Sequence, residues 1–153
     1  MGKLEREFSS GGIVIKARGS KIEILLIKDS YGKWTWPKGN IDKGEGSLDA
    51  AKREIREETG LENIQAVAKV GQVNYFYTRE KKLIYKTVYL YLFKFTGREK
   101  LSIQEREIED GRWFSPREAL VKMEYKGAKE LLAKAIKIFK QRRVSPQSTV
   151  DSQ

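Results

Sequence analysis

The chain has 153 residues and a formal net charge of +10, and it contains neither cysteine nor histidine. Disulfides, cysteine nucleophiles and histidine bases are therefore excluded. No apolar run approaches the roughly 18 residues of a membrane span, and the charged N-terminus lacks an apolar signal core, so a cytoplasmic protein without membrane contact is expected.

The length and the hydrophobic content of 39% suit a single domain, predicted at residues 1–143 with a polar tail at 144–153. The segments alternate between strand and helix patterns. In chain order they are strands 8–17 and 22–28, an aromatic loop 31–36, helix 47–59, strand 64–77, a polar turn 78–82, strand 83–95, loop 96–105, strand 108–114, a short helix opened by a capping box at Ser115, and helix 127–142. Gly71 is expected to mark a bulge.

The predicted helix 47–59 carries three carboxylates on one face. Ser47 is the expected N-cap and Gly60 the expected stop. Glu54, Glu57 and Glu58 follow the i, i+3, i+4 spacing, which crowds like charges together. A divalent cation between them would relieve that repulsion, although an acidic stripe of this kind is usually just solvated. The glycine-rich loop at residues 37–46, directly before the helix, favours the metal site.

Residues 39–61 resemble the Nudix box, G-x5-E-x7-R-E-U-x-E-E-x-G-U with U aliphatic, and match it at every fixed position. The resemblance implies an α/β/α sandwich with a mixed β-sheet and an enzyme that hydrolyses a pyrophosphate bond. It implies that Glu54, Glu57, Glu58 and the carbonyl of Gly39 hold Mg²⁺, with Mn²⁺ as an alternative. Arg53 would orient the carboxylates, and Glu45 would tie the loop to the helix.

The general base must be a carboxylate, because the chain has no histidine or cysteine. Glu54 is one candidate. Some Nudix branches place the base on a distal loop, where this chain has three glutamates between residues 105 and 109. Glu107 is the preferred one of these, although a solvated acidic loop explains them equally well.

Features outside the box are similar to the branch of asymmetric diadenosine tetraphosphate hydrolases. The Trp-Thr-Trp-Pro-Lys-Gly run at residues 34–39 resembles the Trp-x-x-Pro-Lys-Gly segment of that branch, and residues 85–88 resemble its Lys-Thr-Val segment. A tyrosine near position 77 also marks it. The resemblance implies cleavage to ATP and AMP. The substrate-binding residues expected are Trp36, Lys38, Tyr75, Tyr77, Lys82 and Lys86.

Other substrates remain open at this point. A nucleoside triphosphate, an RNA 5′ end and a diphosphoinositol polyphosphate are alternatives, the last because it would suit the charge of +10. A non-catalytic nucleotide sensor is a further alternative, although such modules usually lose a box carboxylate and this chain keeps all four. No dedicated nucleic-acid-binding motif accompanies the basic charge. A monomer or homodimer is expected.

Overall fold

The computed structural model describes residues 4–144. Its elements are β1 (Glu5–Arg18), β2 (Lys21–Asp29), β3 (Trp34–Thr35), β4 (Lys38–Asn40), α1 (Ser47–Thr59), β5 (Ile64–Arg79), β6 (Lys82–Phe95), β7 (Ile108–Phe114), α2 (Pro116–Lys122) and α3 (Ala128–Val144). The predicted tail, apart from Val144, lies outside the described residues. None of the helices within residues 4–144 is long and apolar enough to cross a membrane.

The strands form one seven-stranded sheet in the order β3-β2-β1-β6-β5, with β4 paired to β1 and β7 paired to β2. The central strands β1 and β6 run parallel, from Glu5 opposite Ile84 to Ile15 opposite Lys94. Strand β1 is antiparallel to β2 and β4, and β5 is antiparallel to β6. The sheet is therefore mixed, as predicted.

Each face of the sheet is covered by helix, because the central strands are apolar at successive positions. Val14 and Phe93 lie in the cluster that packs under α1, whereas their neighbours Ile13 and Leu92 pack under α2 and α3. Helix α1 comes very close to β1: a Cβ atom added at Gly12 would lie 2.6 Å from a side-chain atom of Ile55. The α/β/α sandwich is thus confirmed.

Most of the predicted elements are present, with local corrections. Gly60 ends α1 in the left-handed region, as expected, but the N-cap is Gly46 and not Ser47. The Ser47 hydroxyl instead shares a hydrogen bond with Tyr91 Oη, at 2.5 Å. The capping box at Ser115 is confirmed, and Gly71 does sit at a register shift between β5 and β6.

The hairpin between β5 and β6 is longer than predicted. The polar turn expected at 78–82 contracts to Glu80 and Lys81, which both have positive φ. A two-residue turn of this kind matches the twist of its strands. Such turns usually contain Asn or Gly, and this one contains neither, so the sequence pattern did not indicate it. The aromatic loop at 31–36 likewise contains the short strand β3.

Candidate active site

The Nudix loop is fixed to strand β1 before it enters α1. Gly39 on β4 pairs with Ser10 on β1, and the amide of Ile41 donates to the carbonyl of Phe8 at 2.9 Å. The hydroxyl of Ser10 also donates to the carbonyl of Ser47, at 2.6 Å. The loop and the first turn of the helix are therefore held by the same strand.

Arg53 is the hub of the acidic cluster. Its guanidinium donates to Glu45 and Glu54, both at 2.8 Å, and to Glu57 at 3.0 Å. It also donates to the backbone carbonyl of Asn40, at 2.9 Å. The hydrogen bonds to Glu45 and then Glu54 raise the pKa of Arg53. Loop and helix are thereby joined through one fixed cation.

Gly39 lies directly against the carboxylate of Glu54. A Cβ atom at Gly39 would stand 2.2 Å from Glu54 Cδ, a separation that no real side chain adopts. The Glu54 side chain is only 14% exposed, whereas that of Glu57 is 50% exposed. The backbone of Gly39 and the Glu54 carboxylate thus share one small, shielded space.

Glu58 is the buried member of the cluster, with 3% of its surface exposed. Burial raises its pKa to about 9, helped by a hydrogen bond and charge from Glu54 and by the charge of Glu107. A hydrogen bond therefore joins the buried Glu58 to Glu54. Glu107 itself is exposed on the loop before β7, and the structure brings it near enough for its charge to reach Glu58.

Among residues 4–144, no three acidic side chains converge as a ready-made metal site. Arg53 lies among Glu45, Glu54 and Glu57, and Glu58 points inward. The donor set nevertheless fits a hard divalent cation, because it consists of carboxylate oxygens and a backbone carbonyl. The contact between Glu54 and the buried Glu58 also fits, since a cation beside the two carboxyl groups would offset the repulsion between them.

A cleft of about 600 Å³ opens beside the Nudix loop. It is lined by three of the predicted substrate residues, Trp36, Lys38 and Tyr75. Trp36 is 4% exposed, and within the described residues its Nε1 atom is buried without a hydrogen-bond partner. Sequence reasoning missed Tyr31 and Tyr125, which also line the cleft. Tyr31 belongs to the predicted aromatic loop 31–36 but lies outside the motif at 34–39, and Tyr125 reaches the cleft from the distant turn between α2 and α3.

Positive and negative charges near this cleft shift the pKa of Lys38 in opposite directions. Partial desolvation by the surrounding residues lowers the pKa of Lys38, although part of its side chain reaches solvent. The charge of Lys86 lowers this pKa further. The charges of Asp29 and Glu58 act in the opposite direction. The charges of two lysines, Lys38 and Lys86, therefore act on each other near the Nudix loop.

The remaining predicted substrate residues lie outside the cleft, where carboxylates on β1 meet them. Tyr77 and Lys86 both contact Glu7, and Lys82 pairs with Glu5 at 3.3 Å near the end of the β5–β6 hairpin. A larger groove of about 770 Å³, lined by Lys16, Arg18, Lys94, Arg98 and Lys100 among others, contains none of the predicted residues. The 600 Å³ cleft is lined by Lys38, which directly precedes Gly39 and is reached by the charge of Glu58 on α1.

Comparison with known proteins agrees with this geometry. A family model for the NUDIX domain matches residues 7–135. The asymmetrical bis(5′-nucleosyl)-tetraphosphatase of mouse (Mus musculus) is 35% identical, over 78% of this chain and 82% of that protein. The candidate mutator protein MutT4 of Mycobacterium tuberculosis is 33% identical over 82% of this chain, and the chain spans only about half of it, 52%.

Among solved structures, a binary complex of the Ap4A hydrolase of C. elegans superposes with a TM-score of 0.73 and 26% identity, covering 88% of this chain and 98% of that one. These relatives support the predicted Nudix pyrophosphohydrolase. Nudix hydrolases generally use divalent metal ions, in line with the oxygen donors described above. The matched family model, which spans most of the chain, and the mouse relative together show that this chain belongs to the Nudix family.

Proposed function

We propose that this protein is a divalent-metal-dependent pyrophosphohydrolase that cleaves diadenosine tetraphosphate to ATP and AMP. The observation that carries the proposal is the cleft in which Lys38 and Tyr75 stand together, directly beside Gly39 and the acidic helix. Lys38 thus offers a cation for phosphate and Tyr75 a ring for a nucleobase, and both lie near the cluster of carboxylates. The tetraphosphatase relatives, whose names describe this substrate class, support the same choice.

The cleft suits one nucleoside of such a substrate. Its volume of about 600 Å³ falls within the roughly 300–1,000 Å³ of small-molecule sites. The ring of Tyr75 is 42% exposed and Tyr125 lines the same space. Stacking of a base on such a ring is worth about 1–3 kcal/mol in nucleic-acid sites. The cleft therefore holds an adenosine, and the phosphate chain leads out past Lys38.

The charges beside the cleft favour a chain of phosphates. Lys38 and Lys86 repel each other, which is one reason why the pKa of Lys38 is lowered. An anion between the two ammonium groups replaces that repulsion with attraction. A substrate with only two phosphates reaches fewer of these cations than one with four, so the longer chain gains more from them.

The carbonyl of Gly39 and the carboxylates of Glu54, Glu57 and Glu58 would hold Mg²⁺ or Mn²⁺. When bound, the ion supplies charge for the phosphates and makes the attacking water more acidic. Arg53 keeps Glu54 and Glu57 oriented through direct hydrogen bonds. Two of the proposed ligands, Glu54 and Glu57, are thereby held in a fixed orientation before the substrate arrives.

Glu107 is the proposed general base. It is exposed on its loop, so its carboxylate is open to water, and its charge already reaches Glu58. Glu54 is the weaker candidate, because its carboxylate is engaged by Arg53 at 2.8 Å and lies against Gly39. A carboxylate in those contacts has less freedom to accept a proton from water.

The proposal is tested by offering the purified protein a panel of substrates with Mg²⁺ and separating the products chromatographically. The panel contains diadenosine tetraphosphate, ADP-ribose, ATP, a 5′-triphosphorylated RNA and a diphosphoinositol polyphosphate. We expect diadenosine tetraphosphate to be hydrolysed fastest, into ATP and AMP. A symmetric split into two ADP, or faster cleavage of another compound, refutes the substrate assignment, and binding without any cleavage indicates a sensor.

A matched pair of tyrosine variants tests the assignment of the cleft. Tyr75→Ala removes a ring that lines it. Tyr85→Ala removes a ring that packs on Phe76, at 4.7 Å between centroids, and does not line the cleft. Tyr75→Ala should raise the KM for diadenosine tetraphosphate by about tenfold, the lower part of the stacking range, and Tyr85→Ala should leave it nearly unchanged. Equal effects contradict the placement of adenosine.

A further inference from the structure

Glu7, on β1 and outside the Nudix box, fills an anion site formed by three donors from the β5–β6 hairpin. The Tyr77 hydroxyl donates to Glu7 Oε1 at 2.5 Å, and the Lys86 ammonium approaches the same oxygen at 3.2 Å. The Arg79 guanidinium contacts the other carboxylate oxygen. The hydrogen bond from Tyr77, followed by those from Arg79 and Lys86, lowers the pKa of Glu7 to about 2. Glu7 is thus an anion at any working pH.

These donors are the kind that bind phosphate. A guanidinium, an ammonium and a hydroxyl together offer charge-assisted and neutral hydrogen bonds to a tetrahedral anion. Arg79 and Lys86 carry two positive charges, and Glu7 offsets one of them. The side chains of Lys86 and Glu7 are only 12% and 18% exposed, so solvent screens this pair less than a fully exposed one.

The site lies between the nucleoside cleft and the Nudix loop. The rings of Tyr77 and Tyr75 are 6.1 Å apart, and Tyr75 lines the cleft. On the other side, the ammonium of Lys86 also donates to Asn40 Oδ1 at 2.9 Å. Asn40 follows Gly39 directly in the chain. An anion that took the place of the Glu7 carboxylate would therefore stand beside both parts of the active site.

We propose that Glu7 is a displaceable internal anion, and that the site of Tyr77, Arg79 and Lys86 accepts a phosphate of the substrate in its place. The identity of that substrate rests on the proposed function. Phosphate must compete with a carboxylate that is already bound. The site therefore binds most tightly those phosphate chains that are long enough to reach it while their other phosphates are held near Lys38. Glu7 thereby lowers affinity for short phosphate chains and acts as a specificity residue.

The direct test measures the binding of inorganic tripolyphosphate by isothermal titration calorimetry, in the presence of a chelator so that no turnover occurs. Glu7→Gln keeps the size of the side chain but removes its charge. It should tighten the Kd by about fivefold, the scale of one partly exposed ion pair. Glu23→Gln is the matched control, because Glu23 also pairs with a lysine, Lys16 at 3.6 Å, and Lys16 is not one of the predicted substrate residues. It should leave the Kd unchanged.

An unchanged or weaker Kd for Glu7→Gln overturns the proposal, since it would mean that Glu7 supports the site instead of competing for it. If Glu7→Gln does not fold, the binding of tripolyphosphate is measured with the variant Lys86→Met, which keeps Glu7. Loss of tripolyphosphate affinity by at least fivefold is expected, and an unchanged Kd overturns the proposal equally.

Turnover then separates this inference from the proposed function. Glu7→Gln should lower the KM for diadenosine tetraphosphate and leave kcat unchanged. If the tripolyphosphate Kd tightens but diadenosine tetraphosphate is not hydrolysed by the wild type, only the proposed substrate fails. A fall in kcat with unchanged KM contradicts the competition and makes Glu7 a positioning residue.

Discussion

Replacing Gly39 by alanine should separate catalysis from folding. The added Cβ would lie 2.2 Å from Glu54 Cδ and 2.3 Å from Oε2, whereas ordinary contacts begin at 3.4 Å. The Glu54 carboxylate must therefore move by about 1 Å, a displacement that can reduce turnover about 100-fold. The obstructing atoms are the end of a flexible side chain, so relief costs stability only about 1 kcal/mol, the scale of an off-rotamer side chain.

Gly46→Ala is the matched control. Gly46 lies in the same loop with φ at −77°, and among the described residues nothing lies within 4 Å of an added Cβ. Alanine is a poorer N-cap than glycine, so a comparable loss of stability is expected without loss of turnover. The assay is the initial rate of diadenosine tetraphosphate hydrolysis with Mg²⁺, together with thermal denaturation of each variant. Equal rates for the two variants would refute the reasoning about Glu54.

Two further outcomes follow from the charges. Glu57→Gln should reduce turnover by several orders of magnitude while the fold remains, because a proposed metal ligand is lost from a cluster of like charges; a variant that keeps more than a tenth of wild-type turnover contradicts that role. The pKa of Glu7 is lowered from 4.5 to about 2, so its contacts stabilise the fold fully above about pH 4.5 and lose this effect as the pH falls toward 2. Denaturant titrations should show Glu7→Gln less stable than wild type at pH 7, with the gap narrowing at pH 3.5; a gap that stays constant argues against the ion pair.

Helix α1 could be predicted residue for residue because its determinants are local. Its composition favours helix, and Gly60 supplies the left-handed residue that ends it. The N-cap could not be predicted in the same way. The hydroxyl of Ser47, which would suit that role, is bonded to Tyr91, 44 residues away in the chain, and no local pattern contains that partner.

The partners of the substrate residues show the same limit. Lys86 and Tyr77 have the charge and hydroxyl expected of phosphate ligands, and the sequence alone offers no reason to pair them with Glu7. That contact spans 70 residues from Tyr77 and 79 from Lys86. It exists because β1 and β6 pair in parallel, a connection that depends on the whole sheet. Tyr125 is missing from the prediction for a similar reason.

Strand β1 is what joins the two halves of the site. On one edge it pairs with the Nudix loop, with Ser10 opposite Gly39. On the other edge it pairs with β6, with Glu7 opposite Lys86. The distance between the metal-binding loop and the phosphate donors is therefore set by the register of a single strand. Because a slip of one residue would turn every side chain of β1 to the opposite face, the apolar alternation of Ile13 and Val14 between two cores also fixes the geometry of the active site.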